Sequence, residues 1–376
     1  MNTIYLHVGT AKTGTTAIQN FCSENQEVLN RQGYYYPEFS YCYPSASRLR
    51  NGHFLFGRVC DEDGLRDDKR EEEIFREGFH KIYEAFETYP NIILSDEGLW
   101  TCGFRDEKNV WEKIKEEIGE KQIVIKVIVY LRMQDTFLYS WWSQKVKEGL
   151  RAESQLTWER MAEELPKIQL DYYDMLEKIA GYVGRENIIV RRFDADRFIG
   201  GTLYTDFIDA LGLIYSEEYH IKSEMRNISL TRNNNEIKRI LNRLPELDAD
   251  GNAMFRQLLV EQSGYQGEDD MYSMFSEEER TVFLAKYHEG NIQIAKEYLG
   301  ENELFSPKDW KKGKWNPHDG YMLEDVILFF GSLALRMEKE LKEQKTELKE
   351  QKRQINRIRN IIKHPFGAIG RKLFSK

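Results

Sequence analysis

The sequence predicts an α/β fold, a parallel sheet flanked by helices, with a helical C-terminal half and a C-terminal coiled-coil and amphipathic extension. Three observations carry this. Short apolar runs alternate with helix-spaced segments from residue 4 to residue 211. The first run stops at a glycine-bearing turn that opens a helix, and an apolar heptad runs through the end of the chain.

The elements follow in order. Ile4–Val8 is an apolar run of strand length, and Thr16–Arg31 places Ile18, Phe21, Cys22 and Leu29 at helical spacing. Residues 34–66 are rich in Tyr, Pro, Gly and Ser and predict a long irregular segment, a lid or acceptor wall. Helical spacing returns at Glu71–Glu87 and stops at Pro90; Ile92–Leu94 is a second buried strand. Asn109–Ile118 is a short helix, Ile123–Leu131 the clearest strand, and a helix runs over Thr136–Lys147. Tyr172–Val183 is helical, Ile188–Val190 a strand, and Leu203–Leu211 a helix stopped by Gly212. Apolar strands alternating with helices belong to a sheet covered on both faces. Asn233–Leu299 reads as mostly helical, and Phe305–Gly320, with Pro, Gly, Asn and Trp, as a connector.

Composition bounds the function. With 376 residues, 41% hydrophobic and 13% aromatic, the chain can bury a sizeable core. A net charge of −9 gives no reason to expect a nucleic-acid partner. Cys22, Cys42, Cys60 and Cys102 form neither a CxxC pair nor a metal-ligand spacing and read as reduced thiols. The start, MNTIYLHVG, lacks the basic region of a signal peptide, and no run of 18 apolar residues occurs, so a cytoplasmic protein is expected.

The turn after the first strand reads Gly9-Thr10-Ala11-Lys12-Thr13-Gly14-Thr15-Thr16. Its glycines let backbone N–H groups close on an anion, and the helix N-terminus adds partial positive charge. Gly9 and Gly14 keep the spacing of a nucleotide-triphosphatase loop, GxxxxGK[ST], but Thr15 stands where the lysine belongs and the lysine has moved to position 12. Downstream, Arg132 follows the strand Ile123–Leu131, and Ser140 lies eight residues further on. An arginine leaving the carboxyl end of a strand sits where open α/β sheets bind ligands and offers a planar fork to a phosphate.

Lys12-Thr13-Gly14-Thr15-Thr16 resembles the 5′-phosphosulfate loop of sulfotransferases that use 3′-phosphoadenosine 5′-phosphosulfate (PAPS), and Arg132 with Ser140 matches that family's 3′-phosphate grip. The resemblance covers roughly the first 300 residues, includes Glu186-Asn187-Ile188-Ile189-Val190-Arg191, and is strongest at the two cofactor motifs. It implies a P-loop NTPase-like sulfotransferase fold of the bacterial carbohydrate type. It also implies PAPS as co-substrate with no metal, and a hydroxyl acceptor, a carbohydrate or glycan. On this resemblance Lys12, Thr13, Gly14, Thr15, Thr16, Arg132 and Ser140 bind the cofactor. Tyr139, Trp141 and Trp142 follow Arg132; one ring could stack on adenine, while core packing suits the tryptophans. Lys311-Lys312-Gly313 is only a faint match to a late basic motif and reads as connector.

Transfer to a hydroxyl needs a base beside the attacking oxygen. Glu97, in Ile92-Ile93-Leu94-Ser95-Asp96-Glu97 at the end of the second strand, is the first candidate; Asp96 is its neighbour and His53 the second candidate. The catalytic set is then Glu97, Lys12 and His53. The same Asp96-Glu97 string also fits an ATPase strand, so a P-loop kinase or ATPase using ATP-Mg stays open, as does a non-catalytic coiled-coil scaffold.

With that resemblance the chain divides into a sulfotransferase domain over 1–305, a connector over 306–320, and a long helix or coiled coil with a basic amphipathic tail over 321–376. Ile327, Ala334, Leu341, Leu348, Ile355 and Ile362 fall at one heptad position, and Phe330, Met337, Gln344, Gln351 and Ile358 at the other. That pattern favours a homo-oligomer through 321–362, with packing of the helix back on the domain as the alternative. Residues 351–376 hold eight basic residues and no acidic one, which leaves −17 on residues 1–350. Such a basic, apolar-studded segment suits either peripheral contact with the inner face of a membrane or a solvated tail.

Overall fold

The computed structural model describes residues 1–44, 46–164, 170–221, 228–266, 272–306 and 313–363. The chain divides into two compact units, Met1–Lys145 with Leu156–Asn227 and Asp270–Trp315, and Val146–Gln155 with Ile228–Asp269 and Asn316–Lys376.

The first unit is an α/β layer. Its strands are β1 (Asn2–His7), β2 (Tyr34–Tyr35), β3 (Asn91–Ser95), β4 (Ile123–Leu131) and β5 (Ile188–Arg192). They form one sheet in the order β2-β3-β1-β4-β5, and every pairing is parallel. His7 pairs with Ser95 of β3 and with Ile128 of β4, so the carboxyl end of β1 lies between the ends of its neighbours. Helices α1 (Thr15–Glu24), α2 (Gln26–Arg31), α3 (Asp68–Ala85), α4 (Gly98–Cys102) and α5 (Val110–Ile118) precede α6 (Gln134–Glu148), α7 (Trp158–Glu164), α8 (Tyr172–Val183) and α9 (Leu203–Ala210).

Strand alternation sorts the core onto two faces. Tyr5, Ile93, Ile128 and Tyr130 pack with Ile18, Phe21 and Leu29 of α1 and α2 and Phe207 of α9. Ile4, Leu6, Ile92, Leu94, Val127 and Val129 pack with Phe79 of α3, Trp111 of α5 and Leu176 of α8. Burial on both faces explains why the strands read as continuous apolar runs.

Two local expectations change. The helix expected over Thr16–Arg31 breaks at Asn25, whose buried side-chain amide donates to the carbonyls of Phe21 and His220 and accepts from the His220 N–H. A side chain that competes for backbone groups ends the helix there. The stretch 34–66 is not wholly irregular. It begins as edge strand β2 and carries a 3-10 turn, His53–Leu55, with Tyr36, Tyr43, Phe54, Leu55 and Val59 buried.

The unit also holds β6 (Tyr272–Ser273), α12 (Glu277–Ala285), α13 (His288–Ile294) and β7 (Gly313–Lys314), with β6 and β7 paired in parallel. Of the expected connector and its Lys311-Lys312-Gly313 motif, residues 307–312 lie outside the described residues.

The second unit is helical: α10 (Arg232–Leu241), α11 (Ala249–Gln266) and α14 (Gly320–Lys363). Leu230, Ile237, Leu258, Leu259 and Phe329 form its core. Within it Lys238 is fully buried, and its ammonium donates to the side-chain oxygens of Asn242 and Asn252. Those asparagines in turn donate to the carbonyls of Val146, Ser154 and Glu148. Among the described residues no helix is long and apolar enough to cross a membrane. Of the basic tail 351–376, residues 364–376 lie outside the described residues.

Candidate functional site

A parallel sheet gathers its strand ends on one edge, so the turn leaving β1 is flanked by whatever follows β3 and β4. The turn is latched to β4: Val8 N–H donates to Ile128 O at 3.0 Å, Thr10 N–H to Tyr130 O at 2.9 Å, and Tyr130 N–H to Gly9 O at 2.6 Å. Thr10 Oγ1 donates to Tyr130 O and Thr13 Oγ1 to Thr10 O, so both buried hydroxyls serve the turn itself.

Glycine is required at both ends. Gly9 has φ +100°, and a Cβ there would sit 3.0 Å from Glu97 Cβ and 3.3 Å from Glu97 Cα. That close approach sets Glu97 against the start of the turn. Gly14 has φ +75° and is the N-cap of α1; a Cβ there would strike Leu203 Cδ2 at 2.4 Å. Lys12 also has positive φ, +66°, an unusual conformation for a lysine. The first turn of α1 has no acidic residue, and Thr15 and Thr16 stand in it, Thr15 buried and Thr16 exposed. Its leading N–H groups have no partner inside the helix, as at any helix start.

On the β4 side, Tyr172 Oη donates to Arg132 O at 2.7 Å and fixes the backbone there. Arg132 Nη1 donates to Lys12 O at 3.2 Å, its Nε to Thr136 Oγ1 at 3.2 Å, and its guanidinium carbon lies 5.7 Å from the centre of the Phe193 ring. Lys12 Nζ donates to Gln144 Oε1 at 3.2 Å. Thr136, Ser140 and Gln144 are four residues apart on α6 and share one face. Ser140 therefore lies on that face between the residue that holds Arg132 and the residue that holds Lys12. Burial lowers the Arg132 guanidinium from its ordinary pKa, and among the described residues no carboxylate ion-pairs with it. A desolvated cation in that position is suited to an anion. Of the aromatic residues that follow, Trp142 is fully buried against Trp158 and Tyr139, while half-buried Trp141 stacks on Phe137.

On the β3 side, charges meet in pairs. Asp96 is fully buried; Arg50 donates to it through Nε at 3.1 Å and Nη2 at 2.5 Å, and Gly98 N–H at 2.7 Å. His53 Nδ1 lies 2.9 Å from Asp96 Oδ2. With three donors on it, Asp96 holds its neighbours in place rather than serving as a base open to substrate. Glu97 is more accessible, with a side chain 24% exposed, and lies 3.7 Å from Arg50 Nε. Gln19 Nε2 donates to Glu97 Oε2 at 3.4 Å. Beneath these, His7 is fully buried with Nδ1 2.8 Å from Ser95 Oγ and, among the described residues, no partner for Nε2; burial pushes it down to about 3 and keeps it neutral.

Arg50 and Asn51 carry no spacing signal, yet they bind the irregular segment to the sheet. Asn51 Nδ2 donates to Ile93 O, Asn51 Oδ1 accepts from Ser95 N–H, and Gly52 N–H donates to Ser95 O. The structure thus places Lys12, Thr13, Gly14, Thr15 and Thr16 in one turn, with Arg132 bonded to it and Glu97 packed on its start. His53 joins through Asp96. Sequence reasoning missed Arg50, Gln144 and Thr136; the i, i+4 stripe from Thr136 was the available signal for two of them.

No protein-family model matches the chain. It is 30% identical over 185 residues to an uncharacterized protein of Archaeoglobus fulgidus, a match covering 48% of each chain, so the chain spans about half the length of that relative. Among solved structures it is similar to a sulfotransferase from Alicyclobacillus acidocaldarius, with 13% identity, a TM-score of 0.33, and coverage of 59% of this chain and 86% of that one.

Proposed function

We propose that this protein is a sulfotransferase moving a sulfuryl group from PAPS to a hydroxyl acceptor, a carbohydrate or glycan. The observation that carries the reading is the pairing of two anion-receptive groups across one turn, Lys12 with the α1 N-terminus and Arg132 beside Ser140. PAPS presents a 5′-phosphosulfate and a separate 3′-phosphate, and this arrangement offers one place for each. PAPS supplies the sulfuryl group and a stable leaving group, 3′,5′-ADP.

The chain's residues divide the work. Gly14, Thr15 and Thr16 offer N–H and hydroxyl donors to the 5′-phosphate. Lys12 Nζ would leave Gln144 for the bridging oxygen and steady the charge that develops as the S–O bond breaks. Arg132 and Ser140 hold the 3′-phosphate. The acceptor hydroxyl attacks sulfur in line, its proton passes to Glu97, and the new S–O bond forms as 3′,5′-ADP departs. His53, oriented by Asp96, is the other proton acceptor within this charge network. Glycan-pathway membership rests on the family resemblance, and residues 34–66 form the proposed acceptor wall.

Calorimetry with 3′,5′-ADP and no metal, against ATP with magnesium, tests the reading. Tight metal-free binding of 3′,5′-ADP is expected, with Glu97→Gln keeping that binding and losing turnover of labelled PAPS. Binding of ATP-Mg alone would favour the kinase or ATPase reading, and binding of neither would favour a scaffold.

A further inference from the structure

We propose that α14 pairs with α14 of a second copy of this chain as a parallel, in-register, two-stranded coiled coil. The inference is independent of the sulfotransferase reading. Its first observation is which face of the helix is used. Phe329 is fully buried on the core of α10 and α11, where Met322, Val326 and Leu333 also pack, and Arg336 ion-pairs with Glu261. These residues lie on one side. The heptad residues lie on the neighbouring face: Ile327, Phe330, Met337, Leu341, Leu348, Ile355 and Ile358 are all 49–61% exposed. From Met337 to Arg359 every residue is exposed, so this stretch carries an apolar stripe that nothing among the described residues of its own chain covers. An isolated helix in water gains most of its stability by burying such a stripe.

The flanking charges choose the occupant and its direction. With Leu341 and Leu348 at position a, Glu340 and Glu347 stand at g, and Lys345 and Lys352 at e. In a parallel dimer each g residue meets the e residue five positions later in the partner helix. Glu340 then faces Lys345 of the second copy and Glu347 faces Lys352, four opposite-charge pairs in all. An antiparallel pair would set g against g, bringing the glutamates together. The register has its own lock. Gln344 and Gln351 occupy successive d positions; in register each amide meets its own copy and can exchange hydrogen bonds. A shift by one heptad would set a glutamine against Met337 or Ile358, leaving an amide without a partner.

The test uses the full-length chain with Cys22, Cys42, Cys60 and Cys102 replaced by serine or alanine and Gln344→Cys added. Light scattering at micromolar concentration is expected to give a dimer, and mild oxidation a 344–344 disulfide between copies. Glu340→Lys with Glu347→Lys should weaken the dimer about tenfold or more, since four attractive pairs become repulsive. Adding Lys345→Glu and Lys352→Glu should restore it. These surface changes leave the helix's docked face intact, and far-UV circular dichroism checks that. A monomer in light scattering, a dimer without the 344–344 bond, or no recovery in the fourfold charge swap would overturn the proposal. If the cysteine replacements unfold the chain, the charge-swap series in the native background decides it alone.

Discussion

On the α6 side of the β1 turn, Arg132 donates to a backbone carbonyl and a threonine hydroxyl, and Lys12 donates to a glutamine amide. On the β3 side, Asp96 and Glu97 face Arg50, and His53 completes the set. The contacts described for the cations of the first bank are to neutral oxygens, which a stronger acceptor such as a phosphate displaces readily. The second bank matches each carboxylate with a nearby donor and so keeps its shape whether or not an anion is present. On the proposed function the two sides divide the labour: one side of the turn receives charge and the other holds a base in position.

Lys12→Ala gives the largest expected effect on the receptive bank. Turnover of labelled PAPS should fall about 10²–10³-fold, the range for losing one charge-stabilising donor, with the fold intact by circular dichroism. Unchanged turnover would show that the turn is only a structural bend.

Asp96→Ala attacks the other bank. It leaves Arg50 and His53 without their shared acceptor, and removing one member of a buried pair costs about 3 kcal/mol. Urea unfolding should show this loss, whereas Lys12→Ala should leave stability nearly unchanged. Equal stability losses in the two variants would erase the distinction between the banks.

Lys238 sharpens the comparison, because it too is held by amide oxygens but is sealed inside the helical unit. Burial pulls it down to about 8 from an ordinary 10.5. The folded chain therefore binds fewer protons than the unfolded chain between those values, so stability rises with pH across that window. Relative to Lys238→Met, the native chain should gain about 2 kcal/mol between pH 8 and pH 10, since one pKa unit is worth about 1.4 kcal/mol. Parallel pH profiles would show that the lysine's burial carries no such cost.

Much of the fold and the receptive bank was legible because it follows from local order. A strand, a glycine turn and a helix are contiguous, and Arg132 lies directly past the strand Ile123–Leu131, which the sequence placed with the same ends as β4. Parallel pairing then puts Glu97 and Arg132 on either side of Lys12 without further information. The positioning bank was harder to read. Arg50 reaches Asp96 across 46 positions, and that contact leaves no periodic trace. Asn25 gave no sign that its amide would end α1, since its partner, His220, lies 195 positions away. Strand β2 has only two residues, too few to show alternation.

On the proposed function, the turn and Arg132 together read two separated phosphates. Calorimetry of 3′,5′-ADP against 5′-AMP, without metal, tests it in the native chain and in Arg132→Ala. The 3′-phosphate should tighten binding to the native chain by roughly 10–100-fold, the worth of a charge-assisted bond, and Arg132→Ala should abolish this advantage while 5′-AMP binding persists. Equal affinity for the two nucleotides in the native chain, or an advantage that survives in Arg132→Ala, would contradict it.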